Sequence, residues 1–185
     1  AATRDADPED LFGMSTAYVT MEADLDFVPV SAAALCFASV DSTAFDAAVD
    51  EVETILQVGE EETGTAFSRH EDDHGYHWVV LEDSDPEDLV TSVHFAADTF
   101  EEANFDSRLL AAVFGFERPR DGARAYWIYS FRRGAYYPFA PTGRHDRDSR
   151  LEFKLQSVLD GELEVEDDES YWYPLWPDGP DGHPW

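Results

Sequence analysis

Leu109-Leu110-Ala111-Ala112-Val113-Phe114-Gly115-Phe116 and Ala125-Tyr126-Trp127-Ile128-Tyr129-Ser130-Phe131 decide the fold. Both runs are short, apolar and rich in aromatic residues, which suits buried strands better than helices. A polar loop with Pro119 and Gly122 joins them, and a connection that short makes neighbouring strands antiparallel. Downstream, Arg132-Arg133-Gly134 turns the chain into a third short segment, Ala135–Phe139, closed by Pro138 and Pro141. Upstream, Thr65–Glu71 and Tyr76–Glu82 flank Asp72-Asp73-His74-Gly75. That pattern predicts a second hairpin, with Gly75 supplying a positive φ. A further strand is expected over Ala33–Ala38.

Between the strands lie helices with readable starts. Asp7-Pro8-Glu9-Asp10 and Asp85-Pro86-Glu87-Asp88 each place a capping Asp, a first-turn Pro and acids at the positive dipole end. Leu11, Met14, Tyr18, Met21 and Leu25 follow the first, with Gly13 as a break or bend. Leu89, Val93, Ala96, Ala97 and Phe100 follow the second. Phe45, Val49, Val52 and Leu56 form a stripe on another helix, which ends in an acidic loop over Gly59–Gly64. Leu151, Leu155, Val158 and Leu159 mark a last helix, stopped by Gly161. Helix-then-hairpin thus occurs twice, at 43–82 and 86–131. Hairpins imply an antiparallel sheet with helices against one face. The expected fold is α+β, about five to six strands and four helices, in one domain over 7–176. The remaining 177–185 form a Pro/Gly-rich tail. Trp172, Trp176 and Trp185 are three of the five tryptophans, and the first two are expected to fold back onto the domain.

Composition narrows the class. At 185 residues, the chain can bury roughly 70% of its unfolded surface and needs neither disulfides nor a metal to hold a core. Cys36, the sole cysteine, sits in an apolar run and reads as a buried, inert thiol. The formal net charge is −29, with 41 acids against 12 basic residues, of which only Lys154 is lysine. Such a surface suits molar salt, where a Debye length of about 3 Å removes carboxylate repulsion. The reading is a salt-in halophile. No apolar stretch reaches the length of a membrane span, and no signal-peptide core is visible. A cytoplasmic location follows as the expectation, at the inner membrane face where a partner holds it there.

Chemistry-bearing motifs are few. His70, His74 and His77, with Glu71, could hold a metal, and a small metal-dependent hydrolase would follow. In a hairpin, however, His74 is at the tip and His70 and His77 need not converge, so the expectation is an exposed turn and no metal or cofactor. The acidic runs Glu60–Glu62 and Glu166–Glu169 read as solvated faces in so acidic a chain. Phosphate-binding and nucleophile-elbow motifs are absent from the sequence. One asymmetry stands out. Arg118, Arg120, Arg124, Arg132, Arg133, Arg144, Arg147 and Arg150 face only three acids between 118 and 150, a local balance of +5 that leaves −34 elsewhere. They either pair with the chain's own carboxylates or form a face for an acidic partner. The basic and aromatic set Arg132, Arg133, Tyr136, Tyr137 and Phe139, with Trp172 and Trp176, has the composition of a protein-recognition patch. Gly134, Tyr136, Pro138 and Phe139 serve equally as a turn and core plug. Nucleic acid is disfavoured, because molar salt strips phosphate contacts. A small-molecule sensor with the Trp/Tyr-rich tail as pocket wall is the third reading.

The same stretches carry a family resemblance. Phe105–Phe116 is similar to the "GF-x-x-x-LL-x-x-VF-x-F" element of the PspA-associated PspAB proteins. Tyr129-Ser130-Phe131-Arg132-Arg133-Gly134-Ala135-Tyr136-Tyr137-Pro138-Phe139-Ala140-Pro141 resembles their "Y-x-Y-K-R-G-x-F-Y-P-F-A-P". Gly75–Trp78, Leu151–Phe153 and Tyr171–Trp176 resemble their "G-Y-x-W", "LE" and "R-W-F-P-x-W" elements. Arg132 replaces the usual Lys, in line with lysine depletion, and Tyr171 replaces an Arg. The likeness spans about 11 to 176, and with the acidic, lysine-poor composition the expectation is a haloarchaeal-type member of that family. It implies a non-enzymatic accessory or adaptor role beside PspA in a phage-shock-type membrane-stress response, often with a membrane metalloprotease of the HtpX type. A secretion-chaperone-like layout is a further fold analogy.

Overall fold

A computed structural model describes residues 5–38, 43–63, 65–72, 74–143 and 145–176. The tail 177–185, Gly64, Asp73 and Arg144 lie outside the described residues, as does the side chain of Leu56. The capping Asp7 opens a 3-10 turn, Pro8–Phe12, that runs straight into α1 (Gly13–Leu25), so Gly13 marks a change of helix type and not a break. Then come β1 (Val28–Phe37), α2 (Thr43–Thr63), β2 (Ala66–Glu71), β3 (His77–Glu82), α3 (Pro86–Glu102), β4 (Leu109–Arg118), β5 (Ala123–Ser130), β6 (Ala135–Phe139), β7 (Pro141–Gly143), β8 (Asp146–Arg147) and α4 (Ser149–Leu159).

Six strands form one sheet in the order β2-β3-β1-β4-β5-β6, and β7 and β8 make a separate two-stranded pair. All pairings are antiparallel. The fold is therefore α+β. The two hairpins flank β1, which pairs with β3 on one side and β4 on the other. β1 begins five residues before the expected start. A register shift between Pro29 and Ala33 lets a proline, which cannot donate to a ladder, sit inside a central strand. The acidic loop expected over Gly59–Gly64 is helix as far as Thr63. Glutamate is a good helix former, and Glu60–Glu62 carry the helix on past Gly59.

The strands alternate between two apolar clusters. Leu35, Phe37, Val79, Leu81, Phe114, Phe116, Trp127 and Tyr129 face α1, α2 and α3, whose Met14, Met21, Phe45, Val49, Val93 and Phe100 close the main core. Alternate residues, Ala34, Cys36, Trp78, Val80, Val113, Tyr126, Ile128, Tyr137 and Phe139, point the other way and pack with Trp172. Among the described residues, no residue of α1–α4 belongs to this second cluster. A strap following α4, residues 162–176, supplies Trp172, Leu175 and Trp176 to it. The strap also runs parallel to β6: the Tyr136 N–H donates to the Glu164 carbonyl at 2.7 Å and the Glu166 N–H donates to the Tyr136 carbonyl at 2.8 Å. It thereby satisfies the outer edge of an otherwise edge-lying strand.

Candidate functional site

The β5–β6 turn sits where the strap crosses the sheet. Gly134 takes φ 62° and its N–H donates to the Ser130 carbonyl, closing a turn that L side chains rarely tolerate. From this turn Arg133 reaches the strap. Its Nε donates to Glu166 Oε1, and its guanidinium lies 3.7 Å from the Tyr171 ring centroid. Both partners of that ion pair are nearly buried, with side chains 10% and 9% exposed. Glu166 was expected on a solvated acidic face. It is instead buried, and its carbonyl accepts the Trp172 Nε1–H at 2.9 Å. Its neighbour Asp168 caps the following 3-10 turn, Glu169–Tyr171, by accepting from the Ser170 N–H. Such local work for an acid is invisible when 41 acids are spread along the chain.

Two further ties hold the strap. The Tyr137 hydroxyl donates to the Tyr173 carbonyl at 2.8 Å, and Arg147 donates to the Trp172 carbonyl at 2.9 Å. Arg147 also donates to both oxygens of Glu152, which accepts the Ala140 N–H at 2.9 Å as well. Burial raises the Glu152 carboxyl above its ordinary value, against the opposing pull of the Ala140 and Arg147 hydrogen bonds. Burial likewise raises the Tyr136 and Tyr137 hydroxyls, so neither is an ionised base at neutral pH.

Four of the seven residues read as a partner patch are thus interior. Tyr136, Tyr137, Phe139 and Trp172 are all buried. Tyr136 faces the helices and donates its hydroxyl to the Asp10 carbonyl, whereas Tyr137 faces the strap. Trp176 is half-buried, 5.2 Å from Phe139 between ring centroids. Arg133 is engaged as described. Arg132 alone of the seven stands exposed, and it makes no hydrogen bond or ion pair with a described residue. Of the seven described arginines in the arginine-rich stretch, four are paired within the chain: Arg118 with Asp121, Arg120 with Asp26, Arg133 with Glu166 and Arg147 with Glu152.

The histidines do not converge. His70 is paired with Trp78 and lies on the strap side, while His77 is on the other side, with its ring 5.5 Å from Phe45. Opposite faces of one sheet cannot ligate one ion. No group of three or more metal-ligating side chains is present among the described residues.

What the strap does create is a groove of about 610 Å³ at the end of the sheet. Small residues, Cys36, Ala38 and Ala111, make its floor. Leu110, Tyr137, Tyr173 and Leu175 make its walls, Tyr76 from the β2–β3 turn stands at one rim and Arg132 at the other. Asp72 lies at the Tyr76 end, accepting from the Tyr76 N–H and the Trp78 indole. Burial and then the Asp72 carboxylate push the Cys36 thiol up to about 12. Cys36 is therefore a protonated floor group, consistent with the inert reading. Sequence reasoning missed Leu110, Ala38, Tyr76 and Tyr173 as site residues. A signal for Tyr173 was the alternation Trp172-Tyr173, in which the buried tryptophan leaves the next residue exposed.

The geometry defines a class: an antiparallel α+β sheet with helices on one face and a strap on the other, enclosing an aromatic groove at whose rim Arg132 has no ion-pair partner among the described residues. The chain belongs to the PspA associated protein B family (PspAB), whose family model matches residues 1–185. No curated protein and no solved structure matches the chain. The secretion-chaperone likeness accordingly stays an analogy. No helix of the described residues is long and apolar enough to cross a membrane.

Proposed function

We propose that this protein is a non-enzymatic accessory factor that binds PspA in a membrane-stress response. The family name, PspA associated protein B, supports the choice of partner. The observation that carries the site is Arg132, exposed and unpaired by described residues beside an aromatic groove in a chain of 41 acids. Arginine and tyrosine at the rim of an apolar depression are the residue types that dominate protein contacts. The contact surface is assigned to Arg132, Tyr76, Tyr173 and Trp176. Tyr136, Tyr137, Phe139 and Trp172 act indirectly, by fixing the strap and turn from beneath. An HtpX-like protease is the second partner of this reading, and peripheral membrane attachment would come through either partner. The acidic, lysine-poor surface fits a cytoplasm of high salt.

Purified PspA-like and HtpX-like proteins, immobilised in molar salt, test this. The wild-type chain should be retained by PspA, and the Arg132→Glu/Tyr76→Ala double variant should be released with its circular dichroism unchanged. Equal retention of both would remove the groove from the reading. Retention of neither would remove the adaptor role itself.

A further inference from the structure

We propose that the strap groove is also a binding site for a small amphiphilic anion: an aliphatic or aromatic body bearing one carboxylate or sulfonate head. Three observations carry this. The groove holds about 610 Å³, within the range of small-ligand sites, and its lining is mostly apolar. Its floor is open because Cys36, Ala38 and Ala111 are small, so space remains beside the large rings of Tyr76 and Tyr137.

The groove is also electrically polar. Arg133 is neutralised by Glu166 and stacked on Tyr171, but Arg132 beside it has no carboxylate partner among the described residues. At the other end, Asp72 is fixed by the His74 and Tyr76 N–H groups and the Trp78 indole. A ligand anion is therefore drawn to the Arg132 end and repelled from the Asp72 end. That orients the head at Arg132 and the apolar body over Cys36 and Ala38 toward Tyr76. A guanidinium hydrogen-bonding a carboxylate at the mouth of an apolar groove makes a charge-assisted contact, stronger than its counterpart in open water.

The inference concerns a free ligand and needs no partner, so it fails or stands apart from the PspA reading. Its probes are 1-anilinonaphthalene-8-sulfonate and its uncharged analogue N-phenyl-1-naphthylamine, followed by fluorescence titration of the full chain. The sulfonate should bind at one site. Arg132→Gln should weaken it about ten-fold or more and leave the neutral probe unchanged. Ala38→Trp, which fills the floor, should abolish both without altering the circular dichroism; if that variant misfolds, Leu110→Trp takes its place. Unchanged sulfonate affinity in Arg132→Gln, equal weakening of both probes, or binding that survives the filled floor would each overturn the proposal.

Discussion

Glu152 is the hinge pin between α4, the β6–β7 corner and the strap, and removing it should loosen all three. In Glu152→Ala, the buried Ala140 N–H loses its acceptor, at a cost of about 1–3 kcal/mol. Arg147 loses the carboxylate it grips with Nε, and its side chain is only 23% exposed while that of Glu152 is 3% exposed. Breaking a buried pair from one side costs about 3–5 kcal/mol, and the partial exposure of Arg147 puts this case at the low end, about 3 kcal/mol. For a chain of this size that lowers Tm by about 6–12 °C. Glu152→Gln behaves differently. It keeps an acceptor for Ala140 and removes a charge whose burial raises its pKa. A folded carboxyl raised above its ordinary value contributes stability below that value and loses it as pH rises through the folded one. Burial works against the ionised form, so Glu152→Gln should cost only about 1 kcal/mol and should lessen the stability that the wild type loses as pH rises above the ordinary carboxylate value. Differential scanning calorimetry of both, with the exposed Glu51→Ala as control, checks the sizes. Limited proteolysis checks the location, because freed Arg147 no longer holds the Trp172 carbonyl and the strap should be cut first. A Glu152→Ala Tm within about 3 °C of wild type would refute the reasoning.

Gly115 lies across from Tyr126, and a Cβ there would stand 2.7 Å from Val30 Cγ2. Gly115→Ala should cost about 1–3 kcal/mol by denaturant unfolding, and most of that should vanish in a Val30→Ala background. Asp121 is held down to about 2 by the Arg118 hydrogen bond and then the Ala123 N–H. Its stabilisation is present above the ordinary carboxylate value and lost as pH falls through about 2, and a carboxyl-carbon NMR titration should show Arg118→Ala returning it toward the usual range. Cys36, raised to about 12, should be alkylated at pH 8 at least about a thousand-fold more slowly in the folded than in the unfolded chain, which timed iodoacetamide trapping with mass spectrometry measures. If the −29 charge is a salt adaptation, Tm should climb steadily as salt rises from about 0.1 M to about 2 M; a flat profile would count against it.

Periodicity exposed most of the scaffold because it is written locally. The Asp7 and Asp85 caps, the Gly75 turn and the strands β4, β5 and β3 each announce themselves within a window of ten residues. The same windows misread Gly59–Gly64, where glutamate propensity carried a helix through a glycine, and the start of β1, where a bulge admitted Pro29.

The candidate site was legible only in its ingredients. The amino-acid sequence by itself determined that Arg132, Arg133, the Tyr136–Phe139 segment and the Trp172–Trp176 segment are unusual, and that the fold is α+β. It also determined that His70 and His77, seven residues apart across one turn, need not meet. Tertiary structure decided the rest. Strand alternation sends Tyr136 and Tyr137 to opposite faces, and only the strap's position tells which of those faces is covered. Arg132 and Arg133 are neighbours of like chemistry, yet one is neutralised by Glu166, 33 residues on, and the other is not. No local pattern encodes that difference, because an ion pair or a groove depends on where distant segments arrive, and here the arriving segment is a strap with no periodicity of its own.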